Sequence, residues 1–108
     1  QYGYEGVYLM KRLFISQPMR GKTNEEIAFE RNKAALAAAR QLDENVEVID
    51  SFFKDSPALT NSLLCLAWSL ELLSTADVAY FVDGWKQARG CRIERLCAEE
   101  YNIPAIND

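Results

Sequence analysis

The sequence predicts a three-layer α/β sandwich built on a parallel sheet of four to five strands. Two patterns carry that expectation. Short apolar runs of strand length recur along the chain, and each of the first three is followed by a longer stretch with helical periodicity. Strands alternating with helices form βαβ crossovers, whose strands run parallel. The 108 residues suit one domain, and about half of them are hydrophobic, enough for a true core. A domain of this size still leaves roughly a third of its surface exposed.

Each element follows from its residues. Arg-Leu-Phe-Ile-Ser at 12–16 is an apolar run ending in turn formers, a buried first strand. Residues 17–22 contain Pro18 and Gly21 and form a loop. Thr23-Asn-Glu-Glu26 is a capping box that opens a helix, whose inner face carries Ile27, Arg31, Ala34, Ala35, Ala38 and Leu42. The alanines let that helix lie close to a sheet. Residues 45–49 make the second strand, and 50–57 a loop whose Phe52 and Phe53 must tuck into the core or cover a pocket.

The second helix is expected over 59–74. Leu59, Leu63, Leu66, Ala67, Leu70 and Leu73 share one apolar face, and Leu64, Trp68, Leu72 and Thr75 another. Only Asn61, Ser62, Cys65 and Ser69 form a polar stripe between them. A helix apolar on most sides is buried on most sides, so the second face is expected to join two copies of the chain in a homodimer. Residues 77–82 read as a third, fully buried strand, 83–85 as a turn, and 88–100 as a third helix with Ile93, Leu96, Cys97 and Tyr101 inward. A last short strand is expected at 103–106. Met10, followed by Lys11 and Arg12, reads as a natural start, which makes 1–9 an N-terminal extension and 10–108 the single domain.

Composition narrows the chemistry. There is no histidine, which removes the commonest general base and the commonest zinc ligand. Three cysteines without framework or metal-pair spacing read as reduced thiols in a cytoplasmic protein. A net charge of −4 argues against a nucleic-acid polymer as ligand. No apolar run reaches bilayer-spanning length and no signal peptide is visible, so no membrane role is expected.

In a parallel sheet of this kind ligands bind beyond the carboxyl ends of the strands, where strand order reverses. The rim there is expected from residues 16–22, 50–57 and 83–94. Ser16 to Thr23 ends in Gly-Lys-Thr and the third strand ends in Asp83, which together suggest a nucleoside-triphosphate loop. Ser16 stands where that loop needs its first glycine, and Pro18 removes an amide. A milder version fits better: Arg20, Lys22 and free amides at a helix start hold a single phosphate. The other candidate is Glu94, in the opening turns of the third helix just past Gly90, where the helix dipole is expected to keep it ionised as a nucleophile.

Three blocks then resemble the nucleoside 2-deoxyribosyltransferase superfamily, especially its small phage- and prophage-type members of unassigned function. They are Lys-Arg-Leu-Phe-Ile-Ser-Gln-Pro-Met-Arg-Gly at 11–21, Leu-Glu-Leu-Leu-Ser-Thr-Ala-Asp-Val-Ala at 70–79, and Ala-Arg-Gly-Cys-Arg-Ile-Glu at 88–94 with Ala98 after it. The resemblance spans residues 11–106. It implies a flavodoxin-like or Rossmann-like sheet, a dimer or larger assembly, no cofactor, and cleavage of the N-glycosidic bond of a nucleoside or nucleoside monophosphate. Glu94 would attack the anomeric carbon, and the loop at Arg20 and Gly21, with Lys22 added, would hold a 5′-phosphate. Ser16, Arg89, Gly90 and Arg92 join the expected substrate and phosphate contacts. Phe14, Phe53 and Trp85 would wall the base, with Ser69, Asp77 and Asp83 in support; Asp77 also reads as a structural strand-start acid. Two positions depart from the pattern. Phe14 stands where active members carry a tyrosine, and Ser69 where they carry an aspartate. Those departures keep open an alternative, a nucleotide-binding or interaction protein that retains the fold without the chemistry.

Overall fold

The computed structural model describes residues 10–53 and 61–108. The expected extension at 1–9 lies outside them, as do the start of the second helix at Leu59 and the end of the aromatic loop at 54–57. The described chain runs β1 (Lys11–Ser16), α1 (Asn24–Leu42), β2 (Val46–Val48), α2 (Ser62–Leu73), β3 (Val78–Phe81), a single 3-10 turn (Trp85–Gln87), α3 (Arg89–Glu100) and β4 (Ala105–Asn107). The four strands form one parallel sheet in the order β2-β1-β3-β4.

Alternation along β1 and β3 divides the core into two layers, because successive strand side chains point to opposite faces. Leu13, Ile15, Val78 and Tyr80 pack with Ala34 and Ala38 of α1. Phe14, Ala79 and Phe81 pack on the other face with Ile49, Leu73 of α2 and Ala98 of α3. The molecule is therefore the expected sandwich, with one helix on one side and two on the other. Arg12 and Asp77 close the amino-terminal end of the central pair. The Arg12 amide donates to the Asp77 carboxylate at 2.8 Å, and the Asp77 amide donates to the Arg12 carbonyl at 2.9 Å.

Two helices are rolled relative to the sequence reading. In α2 the residues turned inward are Cys65, Leu66, Ser69, Leu70 and Leu73, at helical spacing, whereas Leu63 is 73% exposed and Ala67 is exposed too. Part of the narrow polar stripe thus belongs to the inner face: Cys65 and Ser69 border a cleft, with the exposed Ser62 at its edge. In α3 the buried residues are Cys91, Glu94 and Ala98, while Leu96 is 57% and Tyr101 79% exposed. Cys91, Glu94 and Ala98, spaced three and four residues apart, form its inward line, and Ala98 is wholly enclosed there.

The capping box forms as the sequence predicts. The Glu26 amide donates to the Thr23 hydroxyl at 3.1 Å, and the Thr23 amide to the Glu26 carboxylate at 2.8 Å. Thr23→Ala removes the cap and is expected to cost about 1 kcal/mol, lowering the thermal midpoint by roughly 5 °C in a domain of this size. Calorimetry checks this.

Candidate functional site

The strand order reverses between β1 and β3, and a cleft of about 600 Å³ opens beyond their carboxyl ends. Its floor is the end of β1, its sides are α2 and the start of α3, and its rim is the loop after β1. That volume lies within the usual range of small-molecule sites.

Glu94 lines this cleft and is only 8% exposed. The Ser16 hydroxyl donates to its Oε1 at 2.6 Å, a short bond of the kind carboxylates make. Burial pushes the Glu94 carboxyl up from 4.5 to about 7, against the opposing pull of the Ser16 and Ser69 hydroxyls. The expected ionisation by the helix dipole is thereby corrected. α3 begins at Arg89, so Glu94 is its sixth residue, and the dipole's influence fades within the first turn. Beside it, burial pushes the Cys91 thiol up to about 11, partly countered by a Ser16 hydrogen bond. Cys91 is therefore a protonated thiol at neutral pH and a poor nucleophile.

Cations stand around the opening. Arg20, Arg89 and Arg92 all line the cleft and are exposed. None of them forms a salt bridge among the described residues. Arg92 donates to the Lys86 carbonyl at 3.1 Å rather than to Glu94, and Arg89 reaches the Ser62 hydroxyl at 3.4 Å. The α3 start has no side-chain cap on its amides, and Gly90 borders the cleft with open space where a Cβ would sit. Phe53 supplies an aromatic wall and meets Trp68 edge to face at 5.6 Å, whereas Phe14, expected beside it, lies beneath the cleft floor, 1% exposed and packed in the core, and presents no ring face to a ligand.

Other expected residues lie elsewhere. The Lys22 ammonium is held by both carboxylate oxygens of Glu30, at 2.9 and 2.8 Å, and borders a separate hollow with Phe29. This pairing leaves the Gly-Lys-Thr sequence without the phosphate-facing lysine that a nucleoside-triphosphate loop needs. Gly21, at φ +80°, serves the turn in which the Lys22 amide donates to the Met19 carbonyl. Trp85 packs on Phe81 at 5.7 Å and carries the Arg95 guanidinium 4.7 Å above its ring, so it covers the end of β3 and does not line the cleft. Asp77 sits at the opposite end of the strands, and Asp83 is exposed outside the cleft lining.

A scaffold that the sequence reading missed holds the rim. Arg31 of α1 donates to the Gln17 side chain at 3.1 Å, to the Ile49 carbonyl at 3.1 Å and to the Ser51 hydroxyl at 3.2 Å. Gln17 and Ser51 are buried and line the cleft. One guanidinium thus ties together the loops that leave β1 and β2. The signal was an arginine on an inner helix face otherwise made of isoleucine, leucine and alanine. Burial lowers the Arg31 pKa, with Asp50 working against that shift.

The buried carboxyl has a cost that titration exposes. Between about 4.5 and about 7 the unfolded chain releases the Glu94 proton while the folded chain keeps it, so this group's contribution to stability falls as pH rises through that window and is level above it. Glu94→Gln removes the titration. Its stability relative to the parent should therefore climb by about 3 kcal/mol from acid to neutral pH. Urea unfolding of both proteins at pH 4.5 and pH 8 reads the difference; parallel curves would contradict the burial argument.

No family model matches the chain, and no curated protein matches it. Among solved structures, it is similar to a conserved protein from Enterococcus faecalis V583, with a TM-score of 0.62 and 18% identity over 92% of this chain. The chain spans 63% of that protein's length. The likeness is one of fold, and the shared architecture is the three-layer sandwich with its parallel sheet.

Proposed function

We propose that the chain cleaves the N-glycosidic bond of a nucleoside or nucleoside 5′-monophosphate, with Glu94 as the nucleophile. The observation that carries this reading is one cleft bordered both by the Glu94 carboxyl and by the guanidiniums of Arg20, Arg89 and Arg92. A carboxylate suited to a sugar carbon and cations suited to a phosphate share a space of nucleotide size.

In the proposed reaction the ionised Glu94 attacks the anomeric carbon. The bond from that carbon to the base nitrogen breaks, its electron pair leaves with the base, and the base takes up a proton from solvent. A sugar ester of Glu94 remains. Water then adds at the anomeric carbon, breaks the ester bond and gives up a proton to solvent, yielding the free sugar or its 5′-phosphate and returning the carboxylate; a second base in place of water gives transfer. Phe53 offers the planar base an aromatic face. Lys22, Trp85, Asp77 and Asp83 have no direct part in this scheme.

The proposal extends to a homodimer through α2, whose outer face leaves Leu63, Leu64 and Trp68 exposed. It also sets the protein in the cytoplasm, in keeping with three cysteines that are all free. A second reading, binding without catalysis, draws support from Phe14, which brings no hydroxyl to the cleft floor.

The deciding experiment incubates the protein with a panel of nucleosides and nucleoside monophosphates and follows free base by chromatography. Release is expected, rising with pH through about 7 as Glu94 ionises. Glu94→Gln should lower it at least about 10³-fold. Ligand binding with no base released, unchanged in the variant, would favour the binding module instead.

Two further outcomes follow from the same geometry. Arg20→Ala and Arg89→Ala should raise KM for a monophosphate about tenfold or more while leaving that for the matching nucleoside nearly unchanged. Light scattering at micromolar concentration should report a dimer, and Leu63→Asp with Trp68→Asp should convert it to a folded monomer; a monomeric parent would refute the α2 interface.

A further inference from the structure

We infer that Ser16 is the positioning residue of Glu94: its hydroxyl fixes the orientation of the carboxyl group and stabilises its charged form. The inference rests on the reading of Glu94 as nucleophile for its catalytic consequence, but not for the link between the two side chains.

The geometry supports it at three levels. Ser16 is the last residue of β1 and is almost wholly buried, so its hydroxyl is held by sheet rather than by loop. Its backbone carbonyl accepts from the Val82 amide at 2.9 Å, and it stands opposite Phe81 in the parallel pair, which fixes its main chain on the β3 side. The hydroxyl then spans from sheet to α3 and donates to Glu94 Oε1 at 2.6 Å. Around the carboxyl, the groups that can respond to it are Ser16 from β1, Cys65 and Ser69 from α2, and Cys91 on its own helix. The charged side chains bordering the same cleft are Arg20, Arg89 and Arg92. None of these cations pairs with Glu94 in the described residues. Neutral donors are thus what favour the anion, and Ser16 is the donor at hydrogen-bond distance.

The test is Ser16→Ala, which removes one oxygen from an enclosed site, with Ser69→Ala as the comparison. Carbon-13 NMR of the Glu94 carboxyl follows its titration in parent and variants, with no turnover required. The Glu94 midpoint is expected to rise by about one pH unit in Ser16→Ala. The acidic limb of the base-release profile should move by the same amount, so that activity lost at pH 7 returns at higher pH. An unchanged midpoint in folded Ser16→Ala would overturn the inference; a shifted midpoint with a profile limb that stays in place would uphold the link and overturn the reading of Glu94 as nucleophile. If the midpoint shifts but the parent releases no base from any substrate, the glycosidic reading fails while the Ser16–Glu94 link stands. Should Ser16→Ala fail to fold, Ser16→Cys, which keeps a weaker donor, is expected to give a smaller shift in the same direction, and no shift would overturn the link.

Discussion

The carboxyl of Glu94, lodged where β1, α2 and α3 converge, is the constraint that orders the rest of the site. A charged group taken out of water has to be compensated or neutralised. Here compensation comes from hydroxyls, since Ser16 donates directly and Ser69 lies close enough to pull in the same direction. Burial outweighs them and holds the carboxyl well above its ordinary pKa. That condition depends on β1 ending at Ser16, on α3 starting five residues before Glu94, and on α2 turning Ser69 inward. Stability is given up at this point above the carboxyl's ordinary pKa, as it is wherever a fold keeps an acid dry.

Much of the framework was legible in the sequence because local signals and global topology agreed. The capping box at Thr23, the buried run of β3 and the alanines of α1 each had a single reading, and each formed as read. The rotations of α2 and α3 were not legible. Size and hydrophobicity favoured Leu96 and Tyr101 as inward residues, but the helix turns Cys91, Glu94 and Ala98 toward the sheet, which leaves Leu96 and Tyr101 exposed. The state of Glu94 was misread for a related reason. Counting from Gly90 suggests a first-turn acid governed by the dipole, whereas enclosure by residues distant in sequence decides its proton affinity.

The candidate site divides in the same way. Residues next to strand ends, such as Phe14, Ser16 and Arg20, could be placed from topology alone. Lys22 and Trp85 could not, because each has a nearer partner that a linear reading does not reveal: Glu30 one helical turn or more away, and Phe81 with Arg95. Arg31 illustrates the converse. It contributes nothing to the cleft surface, yet it joins α1 to the residues following β1 and β2, and through Gln17 and Ser51 it shapes the rim.

Among the described residues, both outermost strands of the sheet are only three residues long, Val46–Val48 on one side and Ala105–Asn107 on the other. An edge that short offers a foreign strand few main-chain groups to zip onto. Growth of the sheet from molecule to molecule is therefore disfavoured at these edges, and any contact between molecules falls to side chains on the helical layers. Such contacts can be tuned one residue at a time, without disturbing the strands that carry the cleft.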